Sequence, residues 1–111
     1  MQKDGLRGHL DGIILAILIN GDAYGYDIAQ QVHRRTEGVF SLKEGSLYPA
    51  LKRLEAEQFI QGYWGTDKEN GPRRRYYHLT ERGKQHFEVI RAAWMAEQRT
   101  LSLFFGKVAP Q

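Results

Sequence analysis

The sequence contains no cysteine, only three prolines and no long hydrophobic run. Without cysteine, a disulfide framework, a thiolate zinc site and a cysteine nucleophile are all excluded. The longest uninterrupted apolar run, Ile13 to Ile19, is far shorter than the roughly 20 residues needed to cross a bilayer. The first residues show no signal-peptide pattern. We therefore expect a cytoplasmic protein with no membrane contact.

The charge balance is weak, because 16 Lys and Arg oppose 13 Asp and Glu to give a net charge of +3. Spread evenly over 111 residues, this charge would not indicate a nucleic-acid partner, so its position matters. A chain of this length makes one small hydrophobic core that buries only roughly two-thirds of the unfolded surface. Oligomerisation would be a natural source of further stability.

Helical periodicity dominates the first third of the chain. The first predicted helix carries five apolar residues at i, i+3, i+4, i+7 and i+8: Leu10, Ile13, Ile14, Ile17 and Leu18. We expect Asp22 to cap a second helix from about Tyr24 to Arg35. A short strand at Val39 and Phe40 could follow.

A third helix is predicted between Ser41 and Gln58, at about residues 43–58. Ser41 fits a capping box, while Ser46 is a competing cap that would place Pro49 in the first turn, and the sequence leaves both open. One face of this helix is predicted core, with leucines at i, i+4 and i+7: Leu47, Leu51 and Leu54.

From Phe59 the pattern changes to period two, which predicts strands at Phe59–Trp64 and Arg75–Leu79 around a polar turn. Thr80 is the expected cap of a last helix that runs to about Phe105 and stops at Gly106. The predicted fold class is mainly α with a small β-hairpin. Its order matches a winged helix-turn-helix (residues 1–80) followed by a long helix and tail (81–111) that belong to the same structural unit.

Positive charge concentrates on the hairpin, called the wing here (residues 66–75). Five basic residues oppose three acidic ones between Thr66 and Arg82. Arginines bind phosphates through paired hydrogen bonds, and a hairpin reaches a DNA backbone more easily than a globular body does. The alternative is a solvated charge run on a loop. We favour nucleic acid because the run follows a helix-turn-helix.

The third helix could enter a major groove with its polar side, where long donors reach base edges. Its net charge from Lys43 to Gln58 is zero, so by itself it would be an ordinary helix surface. The wing and this helix together supply the candidate DNA-binding residues: Ser46, Tyr48, Lys52, Arg53, Lys68, Arg73 and Arg74.

The last helix carries a seam of heptad-like spacing, interrupted by Glu97. About 26 residues make a helix of roughly 39 Å, which would overhang a body only about 30 Å across. We therefore expect a two-fold dimer, although a helix folded back onto its own core is the alternative. The candidate interface residues are Phe87, Ile90, Trp94, Leu101 and Phe104. Trp94 is either plain packing or a platform for a flat ligand.

Signals for an enzyme are poor. The four histidines lie on different predicted elements without metal-ligand spacing, and no nucleophile has a visible base. We expect no enzymatic activity, no cofactor and no metal. A second class of function stays open: a winged-helix protein-interaction module whose basic wing binds an acidic partner.

Two motifs carry a resemblance to a known family. LYPALKRLE at residues 47–55 and YYHLTERG at residues 76–83, with GYDI at residues 25–28, look like the PadR family of bacterial transcriptional regulators. The combination at this separation is highly specific, and the similarity extends from about Leu6 to Phe105. The single C-terminal helix is similar to the smaller subfamily.

The resemblance implies a homodimeric, ligand-responsive repressor that binds a palindromic operator in double-stranded DNA. It implies operator contacts at Tyr48, at its polar neighbours, and at Lys68, Arg73 and Arg74 on the wing. Arg75 lies nearer the strand and is expected to be structural. The resemblance also places Trp94 where some small members bind flat aromatic or hydrophobic effectors.

Overall fold

A computed structural model describes residues 9–65 and 73–106 of the chain. Within these residues, four helices and three strands follow one another. Their bounds are α1 (Leu10–Ile19), β1 (Ala23–Tyr24), α2 (Gly25–Arg35), α3 (Glu44–Ala56), β2 (Ile60–Trp64), β3 (Arg75–Leu79) and α4 (Glu81–Phe105). The predicted helices and both hairpin strands are confirmed to within a few residues.

One apolar core joins the first three helices to the sheet. Its largest fully buried side chains are Ile14, Leu15, Ile28, Leu47, Leu51, Leu54 and Ile60. The three leucines predicted on the inner face of α3 are therefore confirmed as core. α4 joins this core through its N-terminal half, where Ile90 approaches Gly12 of α1; a Cβ on Gly12 would lie 3.1 Å from the Ile90 side chain.

The sheet has three antiparallel strands in the order β1-β3-β2, one more than the predicted hairpin. Ala23 pairs with Tyr77, so the segment before α2 forms the third strand. The strand expected at Val39 and Phe40 is wrong. The Phe40 side chain is buried in the core, and its N–H donates to the Thr36 hydroxyl at 3.1 Å instead of a strand neighbour.

The expected helix caps are only partly correct. Asp22 does not cap α2, whose N-cap is Tyr24. Neither Ser41 nor Ser46 caps α3, which begins at Glu44 after Lys43 without a side-chain hydrogen bond. Pro49 consequently lies inside α3, and its ring nitrogen cannot donate to the carbonyl one turn earlier.

α4 begins and ends as the sequence predicts. The Thr80 hydroxyl accepts from the Gly83 N–H at 2.9 Å, and Gly106 ends the helix with a φ of 89°. The intervening 25 residues make a helix about 38 Å long. None of the helices in the described residues is both long and apolar enough to span a bilayer.

Candidate nucleic-acid interface

The outward side of α3 carries small side chains and one long cationic side chain. Opposite the buried leucines, the exposed residues at its centre are Gly45, Pro49 and Lys52. Lys52 has no carboxylate within ion-pairing distance among residues 9–65 and 73–106. A small, nearly flat helix surface with a long cationic side chain can approach a DNA groove closely.

Tyr48 lies on one flank of α3 and packs over the start of α2. A Cβ on Gly25 would lie 2.5 Å from the Tyr48 hydroxyl oxygen and 2.9 Å from its ring, so only glycine fits beneath this tyrosine. The side chain remains 45% exposed. Gly25 therefore leaves room for a ring that is still accessible to a ligand or a base.

Arg53 and Ser46 lie on the other flank, toward α1. The Arg53 Nη2 donates to Asp11 Oδ1 at 2.5 Å, across the contact between α3 and α1. The guanidinium stays more than half exposed, and Ser46 is half-buried. This partner for Arg53 could not be inferred from spacing, because Asp11 is 42 residues away in the chain.

The wing arginines point to opposite faces of the hairpin. Hydrogen bonding continues beyond the strands, since the Gly65 N–H donates to the Arg74 carbonyl at 2.8 Å. The Arg74 guanidinium lies 4.8 Å from the ring centre of Tyr24, while Arg73 lies 5.5 Å from that of Trp64. Lys68, the remaining predicted wing contact, lies outside the described residues. Aromatic rings thus hold both exposed arginines at the base of the wing.

Arg75 is held differently from its two neighbours. Its Nη2 donates to Glu55 Oε2 of α3 at 2.9 Å, and its guanidinium lies over Gly62 of β2. The side chain is about one-third exposed. The expectation that Arg75 is structural agrees with these contacts.

The outer face of the sheet carries a polar network that the sequence did not reveal. Asp22 accepts hydrogen bonds from the Tyr63 hydroxyl at 2.5 Å and from His78 Nδ1 at 2.9 Å. The Tyr63 hydrogen bond, with help from His78, lowers the pKa of Asp22, and the same bond raises the pKa of Tyr63 to about 12. Tyr63 also stacks on Tyr76 at 5.7 Å, so the network ties all three strands together.

The predicted dimer seam divides between two environments. Phe87 and Ile90 are partly buried and pack against the chain's own core. Trp94, Leu101 and Phe104 are exposed, as are Leu103 and Phe105, which the heptad spacing did not include. The end of α4 is therefore apolar on more sides than a narrow seam requires.

Two further observations concern small ligands. An apolar pocket of about 200 Å³ lies between α1 and the end of α2, lined by Ile13, Ile17, Val32 and Phe40, and Trp94 does not line it. In the described ranges, no three His, Asp or Glu side chains cluster to hold a metal ion.

The helix-turn-helix of α2 and α3, followed by the hairpin, defines the class of protein as a winged-helix protein. The sequence model of the Transcriptional regulator PadR-like family matches residues 14–89. The chain therefore belongs to the PadR-like family, whose members are DNA-binding transcription regulators and not enzymes. The predicted family, fold class and absence of enzymatic activity are confirmed.

Two solved structures resemble the chain over nearly its whole length. A transcriptional regulator from Clostridium thermocellum is 35% identical with a TM-score of 0.82, covering 91% of this chain and 97% of that one. A PadR family regulator from Clostridium difficile R20291 is 40% identical with a TM-score of 0.78, covering 88% of this chain and 99% of that one.

A third structure contains nucleic acid. Bacillus subtilis PadR in complex with operator DNA is 33% identical with a TM-score of 0.64, covering 71% of this chain and 44% of that one. That protein is described as a negative transcriptional regulator, and a match of 72 residues spans 39% of it. The chain thus spans less than half the length of this relative.

Proposed function

We propose that the protein is a homodimeric, effector-responsive repressor that binds a palindromic operator through α3 and the wing. The observation that carries this proposal is the placement of Tyr48 and Lys52 on the accessible side of α3, beside a wing whose base carries Arg73 and Arg74. The similarity to a relative solved with operator DNA supports it.

Sequence recognition is assigned to α3 in the major groove. Lys52 donates to base edges or phosphates, and Tyr48 contacts the groove with its exposed ring and hydroxyl, while Ser46 contacts it from the opposite flank, next to Arg53. Arg53 contacts a phosphate while it retains Asp11, because a guanidinium has five N–H donors and needs only one or two for the carboxylate.

Backbone contacts are assigned to the wing. Arg73, Arg74 and Lys68 bind phosphates that flank the groove, which supplies affinity for any sequence and sets the register of α3. The protein-interaction module remains the alternative, in which the same cations meet an acidic partner.

The dimer is assigned to the exposed half of α4. Trp94, Leu101 and Phe104 would lose their water contact against a second copy, related by a two-fold axis that also places two α3 helices in successive major grooves. The same axis gives the operator its palindromic symmetry.

The effector is assigned to the dimer interface at Trp94. A small aromatic or hydrophobic molecule would stack on its half-exposed ring and favour a dimer geometry in which the two α3 helices fit DNA poorly. A cytoplasmic location follows from this proposed role on the chromosome.

Selection of bound fragments from the source genome, followed by affinity measurements on a selected fragment and on random DNA of equal length, tests the proposal. We expect a palindromic consensus. We also expect Tyr48→Ala to weaken the selected fragment more than random DNA, and Tyr48→Phe to show whether the ring or the hydroxyl is responsible. Fragments without a shared sequence, bound no better than random DNA, would favour the protein-interaction module.

A further inference from the structure

One carboxylate joins α3 to both strands of the hairpin, β2 and β3. Glu55, near the end of α3, accepts the 2.9 Å hydrogen bond from Arg75 Nη2 of β3. The same oxygen, Oε2, accepts from the Gly62 N–H of β2 at 3.2 Å. A single side chain of α3 therefore contacts both β2 and β3.

The shape of the hairpin is adapted to this contact. A Cβ on Gly62 would lie 2.6–2.8 Å from three atoms of the Arg75 guanidinium, so only glycine allows the arginine to lie flat across β2. A glycine inside a strand often marks such a close approach. The Arg75 guanidinium also lies 5.4 Å from the ring centre of Trp64, two residues after Gly62 in β2.

We propose that Glu55 is a positioning residue for operator binding: with Arg75 and Gly62 it fixes β2 and β3, and with them Arg73 and Arg74, at one distance and angle from α3. This inference rests on the proposed function. A rigid α3–wing unit allows Lys52 and the wing arginines to meet groove and phosphates together without an ordering cost at binding. Glu55 itself touches no DNA in this arrangement.

The sign of the change in DNA affinity distinguishes a positioning role of Glu55 from a simple charge effect. Glu55 lies on the proposed DNA-binding helix, where a negative charge repels phosphates. If its charge were its only influence, removing it would strengthen binding to every DNA. If it positions the wing, removing it weakens operator binding in spite of the gained positive charge.

The test compares Glu55→Ala with Glu57→Ala, which removes the same charge two residues later on the same helix end. Among the described residues the Glu57 side chain makes no ion pair, and Arg82 bonds to the Glu57 backbone carbonyl, which the substitution keeps. We expect Glu57→Ala to bind operator and random DNA as the parent does or slightly more tightly. We expect Glu55→Ala to bind the operator about five- to tenfold more weakly and random DNA no more weakly.

A conservative variant separates positioning from folding. Glu55→Gln keeps an acceptor for Arg75 and Gly62 and should recover part of the operator affinity, while Arg75→Lys keeps the charge but loses the planar fork and should resemble Glu55→Ala. Equal behaviour of Glu55→Ala and Glu57→Ala would overturn the proposal. So would an equal loss on both DNAs, or an Arg75→Lys protein that binds like the parent. A parent without operator preference refutes the proposed function itself, before any variant is compared.

Discussion

The two halves of α4 share one spacing of apolar residues but have opposite surroundings. In the first half, Gly83 is buried against the Phe59 carbonyl, and Phe87 and Ile90 pack on the core. From Arg91 to Phe105 every residue is exposed except the half-buried Ser102. The same spacing thus places apolar residues against the core in the first half and leaves them exposed in the second.

A heptad-like spacing therefore has a limited meaning in this chain. It predicts a helix with an apolar stripe, but it does not say whether the stripe is covered by the same chain or by another. Length decides between them, because a 25-residue helix of about 38 Å extends beyond the body that covers its first ten residues. Breaking each half separately should therefore give different kinds of failure.

The largest effect is expected where α4 meets the body. In Gly83→Ala the new methyl group would overlap the Phe59 carbonyl oxygen and the Leu79 side chain, so one of the two elements must move. We expect a loss of about 3 kcal/mol in the free energy of unfolding, measured by urea denaturation. Gly45→Ala is the matched control, because its methyl group meets nothing within 4 Å and should stabilise α3 slightly. Equal stability of the two variants would contradict the described packing.

A pair of phenylalanine truncations should distinguish the two halves directly. Phe87→Ala removes a contact with the core of the same chain, and we expect a loss of about 2 kcal/mol at any protein concentration. Phe104→Ala removes a side chain that is 79% exposed in the single chain. Its cost should appear only through the dimer, as a smaller loss whose size depends on protein concentration. Melting curves over a hundredfold range of protein concentration test this distinction. A loss of stability in Phe104→Ala that does not change with protein concentration would contradict it.

A charge in the exposed half should affect assembly without affecting the body. Leu101→Glu places a carboxylate in the proposed seam of both copies. We expect the dissociation constant of the dimer to rise more than about tenfold. Ala92→Glu adds the same charge on the opposite, exposed side of α4 and should leave the sedimentation coefficient unchanged. A Leu101→Glu protein that sediments as the parent does would show that this seam is not the dimer interface.

The smallest effect is expected from low pH, which lowers the stability of the body and does not affect the apolar residues of α4. Because Tyr63 and His78 lower the pKa of Asp22, this carboxylate stabilises the fold above its unfolded pKa of about 4, and the contribution is lost as the pH falls below that value. The network is largely exposed, so we expect less than about 1 kcal/mol. Unfolding of the parent and of Asp22→Asn should differ at pH 7 and converge near pH 2. A constant difference would contradict this account.

The sequence predicted elements whose residues alternate or repeat regularly. The leucines of α3, the strand Arg75–Leu79 and the Thr80 cap all follow from local spacing and local hydrogen bonding. It failed where a long-range contact overrode a local preference. Asp22 is a good helix cap in isolation, but it bonds to Tyr63 and His78, which are 41 and 56 residues away.

The candidate site shows the same limit. Charge and position in a recognised layout predicted Lys52, Tyr48, Arg73 and Arg74 as contacts, and the structure describes where each of them lies. The sequence did not indicate the proposed role of Glu55, because an acidic residue on a proposed DNA-binding helix gives no signal until its contacts with two strands are known.

The salt dependence of DNA binding tests most directly whether α3 and the wing form the nucleic-acid surface. For the parent protein, contacts with roughly 6–10 phosphates predict a loss of about 10³-fold or more in operator affinity between 50 and 200 mM salt. Arg73→Ala with Arg74→Ala removes two cations from each copy of the dimer, so it should make the slope of log K against log salt shallower by about 4 and weaken operator and random DNA alike. Arg34→Ala with Arg35→Ala removes two exposed arginines at the far end of α2 and should leave the slope unchanged. A slope that is the same in the parent and in the wing variant would contradict the account.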